Sequence, residues 1–161
     1  MLLTIKDKVE VLIVINAYDI QANKVRGDLN ITCDKDVIRL IDAFRESGLF
    51  VGSVWVNRYQ DFPSFVVFIN KLNNMGVKTY KAYDIPNYPH DINMIMSDDG
   101  FGKNEHIETS WEVVVVTAPT WLRQIINLFS QLYNEYKRGI CTGYAKYETF
   151  TIWNIVLKDS S

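Results

Sequence analysis

The stretch VEVLIVINA, residues 9–17, decides the fold. It is a nearly continuous apolar run that ends on a polar asparagine. A strand with one wet face alternates apolar and polar residues, whereas a strand buried on both faces does not. Residues 9–17 therefore predict an interior strand of a parallel sheet. After a polar loop, DKDVIRLIDAFRESG (34–48) sets Val37, Leu40, Ile41 and Phe44 at helical spacing. Asp34 or Asp36 is the expected cap and Gly48 the expected stop. LFVGSVWV (49–56) predicts the next strand. PSFVVFINKLNNMG (63–76) predicts a helix with Pro63 in its first turn, Gly76 at its end, and Phe65, Phe68, Ile69 and Leu72 facing inward.

The same alternation continues. VKTYKAY (77–83) and INMIM (92–96) are expected strands, the second a short one. WEVVVVTA (111–118) is the most strand-like run and is expected to be buried. A helix is expected over 121–137, and the aromatic tail YETFTIWNIVL (147–157) is expected to be extended. Strand and helix in turn predict an α/β fold: an open, mainly parallel Rossmann-like sheet with helices on both faces. The 161 residues suffice for a single domain, 1–161, with a core of its own.

Composition narrows the function classes. A net charge of −2 and a pI near 5.7 argue against a general nucleic-acid partner. No apolar run reaches membrane-span length, and MLLTIKDKVE is not a signal peptide, so no membrane partner and a cytoplasmic location are expected. Two cysteines and two histidines supply neither a disulfide framework nor a zinc set, and no metal centre is expected from them.

In sheets of this kind ligands bind beyond the carboxyl ends of the strands. The candidate loops are then 16–30, 57–62, 97–109 and 117–124. NKVRGDLNIT (23–32) carries Arg26, which can grip a carboxylate or phosphate in a bidentate way, or simply pair with an aspartate at the surface. SDDGFGKNEHIETS (97–110) is the densest polar segment. Its candidate ligand-binding residues are Asp98, Asp99, Lys103, Asn104 and Glu108. Paired carboxylates suit a magnesium ion and Lys103 suits an anion. The competing reading is a long acidic connection, and its Gly100-x-Gly102 is too short a motif to mean a nucleotide.

Several long strings resemble a known bacterial family: VINAYDIQANKVRGDLNIT, DVIRLIDAFRESGLFVGSV, MGVKTYKAYDIPNYP, SDDGFGKNEHIETS, SQLYNEYKRGI and GYAKYETFTIWN. It is uncharacterised protein family zero-three-seven-one, or domain of unknown function eighteen-forty-six. The resemblance implies an α/β fold, no settled activity, and a chain that corresponds to a truncated portion of a longer protein. It also implies a glycine-rich loop after Ala118-Pro119, where family members run GPGSGKMATCLSQLY. Such a loop converges backbone N–H groups on an anion at a helix N-terminus.

Here the chain instead reads TWLRQIINLF before rejoining at Ser130. A coding of Gly-Pro-Gly-Ser-Gly-Lys such as GGA CCT GGC TCA GGC AAA, read two bases on, gives ACC TGG CTC AGG CAA. That is Thr-Trp-Leu-Arg-Gln, residues 120–124. A degraded phosphate loop is the resulting expectation, with no cofactor if the loop is lost. Three functions then stand side by side: an inactive relative of the family, prone to self-association through exposed sheet edges; an enzyme domain that binds a nucleotide or other phosphorylated ligand through the 97–109 loop; and a non-catalytic interaction module using the aromatic tail.

Overall fold

The computed structural model describes residues 7–118 and 124–144. Its centre is a four-stranded parallel sheet built from β1 (Val9–Asn16), β4 (Phe50–Asn57), β5 (Lys78–Lys81) and β6 (Val113–Thr117), in the order β5-β4-β1-β6. The chain steps outward from β1 through β4 to β5, then returns to lay β6 on the other side of β1. That reversal is the topological switch point of a doubly wound sheet. The expected α/β, Rossmann-like fold is what the molecule has.

β1 earns its interior place from its side chains. Val11, Ile13 and Ile15 point to one face, Leu12 and Val14 to the other, and all five are buried. The first face is covered by α1 (Ala17–Gln21), α2 (Cys33–Glu46) and α3 (Pro63–Asn74). Val37 and Ile41 of α2 and Phe65, Phe68 and Leu72 of α3 close this core. Each such side chain, taken fully from water, contributes about 1.5–3 kcal/mol before entropy is counted. Between α1 and α2 a small antiparallel hairpin, β2 (Val25–Arg26) and β3 (Ile31–Thr32), crosses the surface. Pro63 opens α3, and Gly48 and Gly76 follow α2 and α3 with φ of 77° and 73°, where a Cβ would be strained.

The second face is covered differently. Trp55, Ala82 and Ile107 pack on Leu12 and Val14. Ile107 belongs to an irregular segment, and Gln131 of α5 (Gln124–Lys137) holds it at both ends. The Gln131 amide donates to the Ile107 carbonyl at 3.0 Å, and its Oε1 accepts from the Ile107 N–H at 3.1 Å. α5 itself packs on a 3₁₀ turn, Phe101–Lys103. Beneath this face Glu10 is buried, accepting from the Ser110 N–H at 2.8 Å, and a methyl group at Gly52 would collide with its Oε1.

Three expectations are corrected. Residues 92–96 are not a strand: Ile92–Ile95 form a one-turn helix, α4, because Asp91 Oδ1 accepts from the Met94 N–H at 3.0 Å and caps it. β6 is not buried on both faces. Among the described residues it is the last strand in the order, and Val113 and Val115 are about half exposed, at 50% and 47%. Neither Asp34 nor Asp36 caps α2. Thr32 stands at the N-cap without a side-chain bond, and Asp36 is buried one turn inside, held by arginines. The tail 147–157 and residues 119–123 lie outside the described residues.

Candidate functional site

A cleft opens at the carboxyl edge of the sheet. β1 and β4 end in register, with Asn16 opposite Asn57. β5 hands on to Ala82, whose N–H donates to the Val56 carbonyl and whose carbonyl accepts from the Tyr59 N–H, each at 2.8 Å. Three strand ends thus reach one level. Asn104 closes the side: its Oδ1 accepts from the Tyr83 N–H at 2.7 Å, and its Nδ2 donates to Ser130 Oγ of α5 at 2.8 Å. The resulting cavity, about 150 Å³, is lined by Asn16, Asn57, Arg58, Asp84, Tyr88 and Asn104, with Ala82, Tyr83, Ile85 and Ile126 completing the wall. That volume holds a benzene-sized group, not a whole dinucleotide.

Two amides in this cleft are underused. Asn16 Oδ1 accepts from the Tyr18 N–H at 3.0 Å and so caps α1, while its Nδ2 has no partner among the described residues. Asn57 is only 7% exposed, and its carboxamide has no hydrogen bond among the described residues. The residue is buried, but its amide lines the cleft. Such a group is kept where a ligand or water completes it.

Arg58 follows directly. Its Nε donates to both carboxylate oxygens of Asp84, at 3.0 and 3.1 Å, and its guanidinium lies 4.5 Å from the Tyr18 ring centroid. Its backbone sits at φ 52°. The other non-glycine residues found with positive φ, Asn23, Asn30 and Asn87, are of the type that tolerates it. A left-handed arginine is strained by about 1–2 kcal/mol, and strain of this kind collects at functional sites.

The residues singled out by sequence fall elsewhere, with one exception. Arg26 is locked in the β2–β3 hairpin, with Nη1 on Asp36 at 2.7 Å and Nη2 on Asp28 at 2.6 Å. Those bonds, Asp28 first and then Asp36, hold its guanidinium well above the usual range and Asp28 below it. Asp98 pairs with Lys137, and Asp99 is exposed. Lys103 Nζ stands 4.8 Å from the Tyr83 ring centroid, and the exposed Glu108 carboxylate makes a long contact with Lys78 at 4.0 Å while its N–H donates to the Tyr80 hydroxyl at 3.3 Å. Asn104 alone lines the cleft, through a side chain committed to tying the loop to α5. Gly100 and Gly102 serve packing: a Cβ at Gly100 would strike the Met94 carbonyl, and one at Gly102 would lie 3.0 Å from Asp98 Oδ1. Among the described residues no three His, Cys, Asp or Glu side chains cluster as metal ligands. No helix there is long and apolar enough to cross a membrane.

Sequence reasoning named the loop 57–62 without singling out Arg58 in it, and missed Asp84 and the loop after β5. The strand-end rule that selected the other loops applied equally to residues 82–88 and would have found that loop.

The family described as "Domain of unknown function DUF1846, N-terminal" matches residues 1–160. A UPF0371 protein of Fusobacterium nucleatum is 50% identical over 155 residues, covering 96% of this chain and 31% of that protein. UPF0371 proteins of Clostridium tetani and Clostridium botulinum match with the same identity and coverage. The chain spans 31% of the length of these curated relatives. Sequence strings and fold agree with these matches, and the chain belongs to the DUF1846 family.

Proposed function

We propose that the chain is a small-molecule-binding domain with no catalysis of its own, and that its ligand sits in the cleft at the carboxyl edge of β1, β4 and β5. One observation carries this: the Asn16 Nδ2 group and the Asn57 carboxamide, side by side and without a hydrogen-bond partner among the described residues, at the end of a Rossmann-like sheet. The reading of the chain as inactive is supported by what the cleft offers, which is amides, an ion pair and aromatic walls, with neither histidine nor cysteine in its lining. It is supported also by the replacement of the family's glycine-rich loop at 120–124. Of that segment, residues 120–123 lie outside the described residues, and the DNA reading frame is its test: a gene with no shifted frame spelling a glycine-rich loop here would sink that part.

The cleft is tested by side-chain amide NMR during titration with a panel of sugars, nucleosides, nucleotides and small acids, with and without Mg²⁺. The expected result is a saturable shift of the Asn57 Nδ2–H₂ signals that Asn57→Leu removes together with binding. A panel that moves no Asn57 signal would overturn the assignment. A cytoplasmic setting and self-association along the exposed β6 edge, where Val113 and Val115 face water, belong to the same reading. Sedimentation across a concentration series checks the second.

A further inference from the structure

We infer that the cleft recognises an oxyanion, the phosphate or carboxylate of a small metabolite, and that Asp84 is its built-in competitor for Arg58. The inference rests on the cleft being a ligand site and goes on to name the chemistry of what binds.

The balance of donors and acceptors carries it. Asn16 has spent its oxygen on the Tyr18 N–H, so only its N–H₂ group remains to offer. Asn57 offers a second N–H₂ group from a nearly buried position. Arg58 has committed Nε to Asp84, and its Nη1 and Nη2 groups have no partner among the described residues. Four donor groups, the two amide N–H₂ groups and Nη1 and Nη2 of Arg58, and one positive charge therefore line the cleft beside β1 and β4, against one uncommitted amide oxygen, Asn57 Oδ1, and the hydroxyls of Tyr83 and Tyr88, which donate as readily as they accept. A neutral sugar needs acceptors and donors in similar number. An oxyanion needs donors alone, and charge-assisted bonds to it are about twice as strong as neutral ones.

Arg58 is also aimed in advance. The left-handed backbone at Arg58, the Tyr18 ring beneath its guanidinium and the Asp84 carboxylate fix one arrangement. Without ligand, Asp84 balances the charge. Both partners are substantially exposed, at 39% and 49% of the side chain, so this pair is weak and exchangeable. An incoming oxyanion takes the Nη groups and the two amides together, and the Arg58–Asp84 bond loosens.

The experiment titrates inorganic phosphate, acetate and, as the neutral control, ribose into the full chain. Calorimetry and the Asn57 and Arg58 side-chain NMR signals give the readout. Either anion is expected to bind and ribose not to, with phosphate against acetate deciding which oxyanion is favoured. Arg58→Gln should weaken anion binding roughly tenfold or more, as loss of charge-assisted bonds requires. Asp84→Asn should strengthen it about two- to fivefold, the worth of an exposed ion pair. Asn57→Asp, nearly isosteric, should abolish it by placing a negative charge against the anion. Melting temperatures of the variants confirm that each folds. Ribose binding that Arg58→Gln leaves intact would overturn the oxyanion while leaving the cleft as a site. Anion binding indifferent to both Arg58→Gln and Asp84→Asn, or absence of anion binding in the native chain, would overturn the inference as well.

Discussion

Two arginine–aspartate centres in this molecule look alike in sequence and differ in every physical respect. Arg26 joins Asp36, which is fully buried, and Asp28, and Asp36 in turn takes a second arginine, Arg39, at 2.8 Å. Every charge there is answered by protein. Arg58 holds one exposed aspartate through one nitrogen, on a strained backbone, beside two amide N–H₂ groups that the described residues leave unanswered. The first is a fastener between the hairpin and α2. The second has capacity left over. Ligand recognition belongs where polar groups are positioned but not saturated, and a well-satisfied arginine is evidence against a binding role.

That contrast can be broken at several points. The largest expected effect is at the fastener. Asp36→Ala removes a buried carboxylate from between two guanidinium groups and should cost about 3 kcal/mol in urea unfolding. Cleft binding should survive it under folding conditions. If stability hardly changed, the two centres would not differ as described. Next comes Asn57→Leu, which should abolish ligand binding yet change stability by no more than about 1 kcal/mol, since it removes a polar group the protein does not pair. A loss of several kcal/mol would instead make Asn57 structural.

Arg58→Asn sharpens the comparison further. Asparagine accepts the left-handed region, so relief of strain should offset the lost Asp84 pair and leave the melting temperature equal or slightly raised, within about 1 kcal/mol. Binding should fall all the same. A lower melting temperature with binding retained would reverse the roles assigned to the two centres. The smallest effect is in acid. Lys137 holds Asp98 below the ordinary aspartate value of 3.8 by hydrogen bonding and charge. A lowered carboxylate contributes stability that is present above its unfolded value and is lost as pH falls through the folded one. The chain should therefore lose a small part of its stability below that value, and Lys137→Met should shrink that acid-dependent part. Melting curves from neutral pH down to about pH 3 would show it.

The sheet was legible because burial on both faces leaves a plain mark: 9–17 and 49–56 are mostly apolar and lack polar alternation, and glycines follow each of the long helices. β6 carried the same mark and misled. Four valines report β-propensity, and that propensity is the same at an edge as in the middle, so nothing in residues 113–116 says whether a strand lies beyond. Residues 92–96 misled for the opposite reason, since one capped turn is too short to show a helical period. The cleft was half legible. Strand ends at Asn16 and Asn57 and the loop 57–62 were marked as ligand-facing, but nothing in NRYQD (57–61) singles out Arg58. The left-handed backbone of Arg58 arises from the path the chain must take from β4 towards α3, and residue type does not announce it. The density of charge in 97–110 drew attention to a segment whose polar groups mostly tie it to β1, to the end of β5 and to α5.

Glu10 and Gly52 have a consequence for how such a chain can change over time. The carboxylate fills the space a side chain at position 52 would need. Gly52→Ala alone forces the buried Glu10 carboxylate to move and should be destabilising, whereas the same change after Glu10→Ala meets only the Phe50 ring edge, at 3.1 Å. The pair should therefore be non-additive, with the double variant more stable than Gly52→Ala by itself. The two single steps then have an easier order, with position 10 shortening before position 52 grows, and a chain that keeps the glutamate favours the glycine.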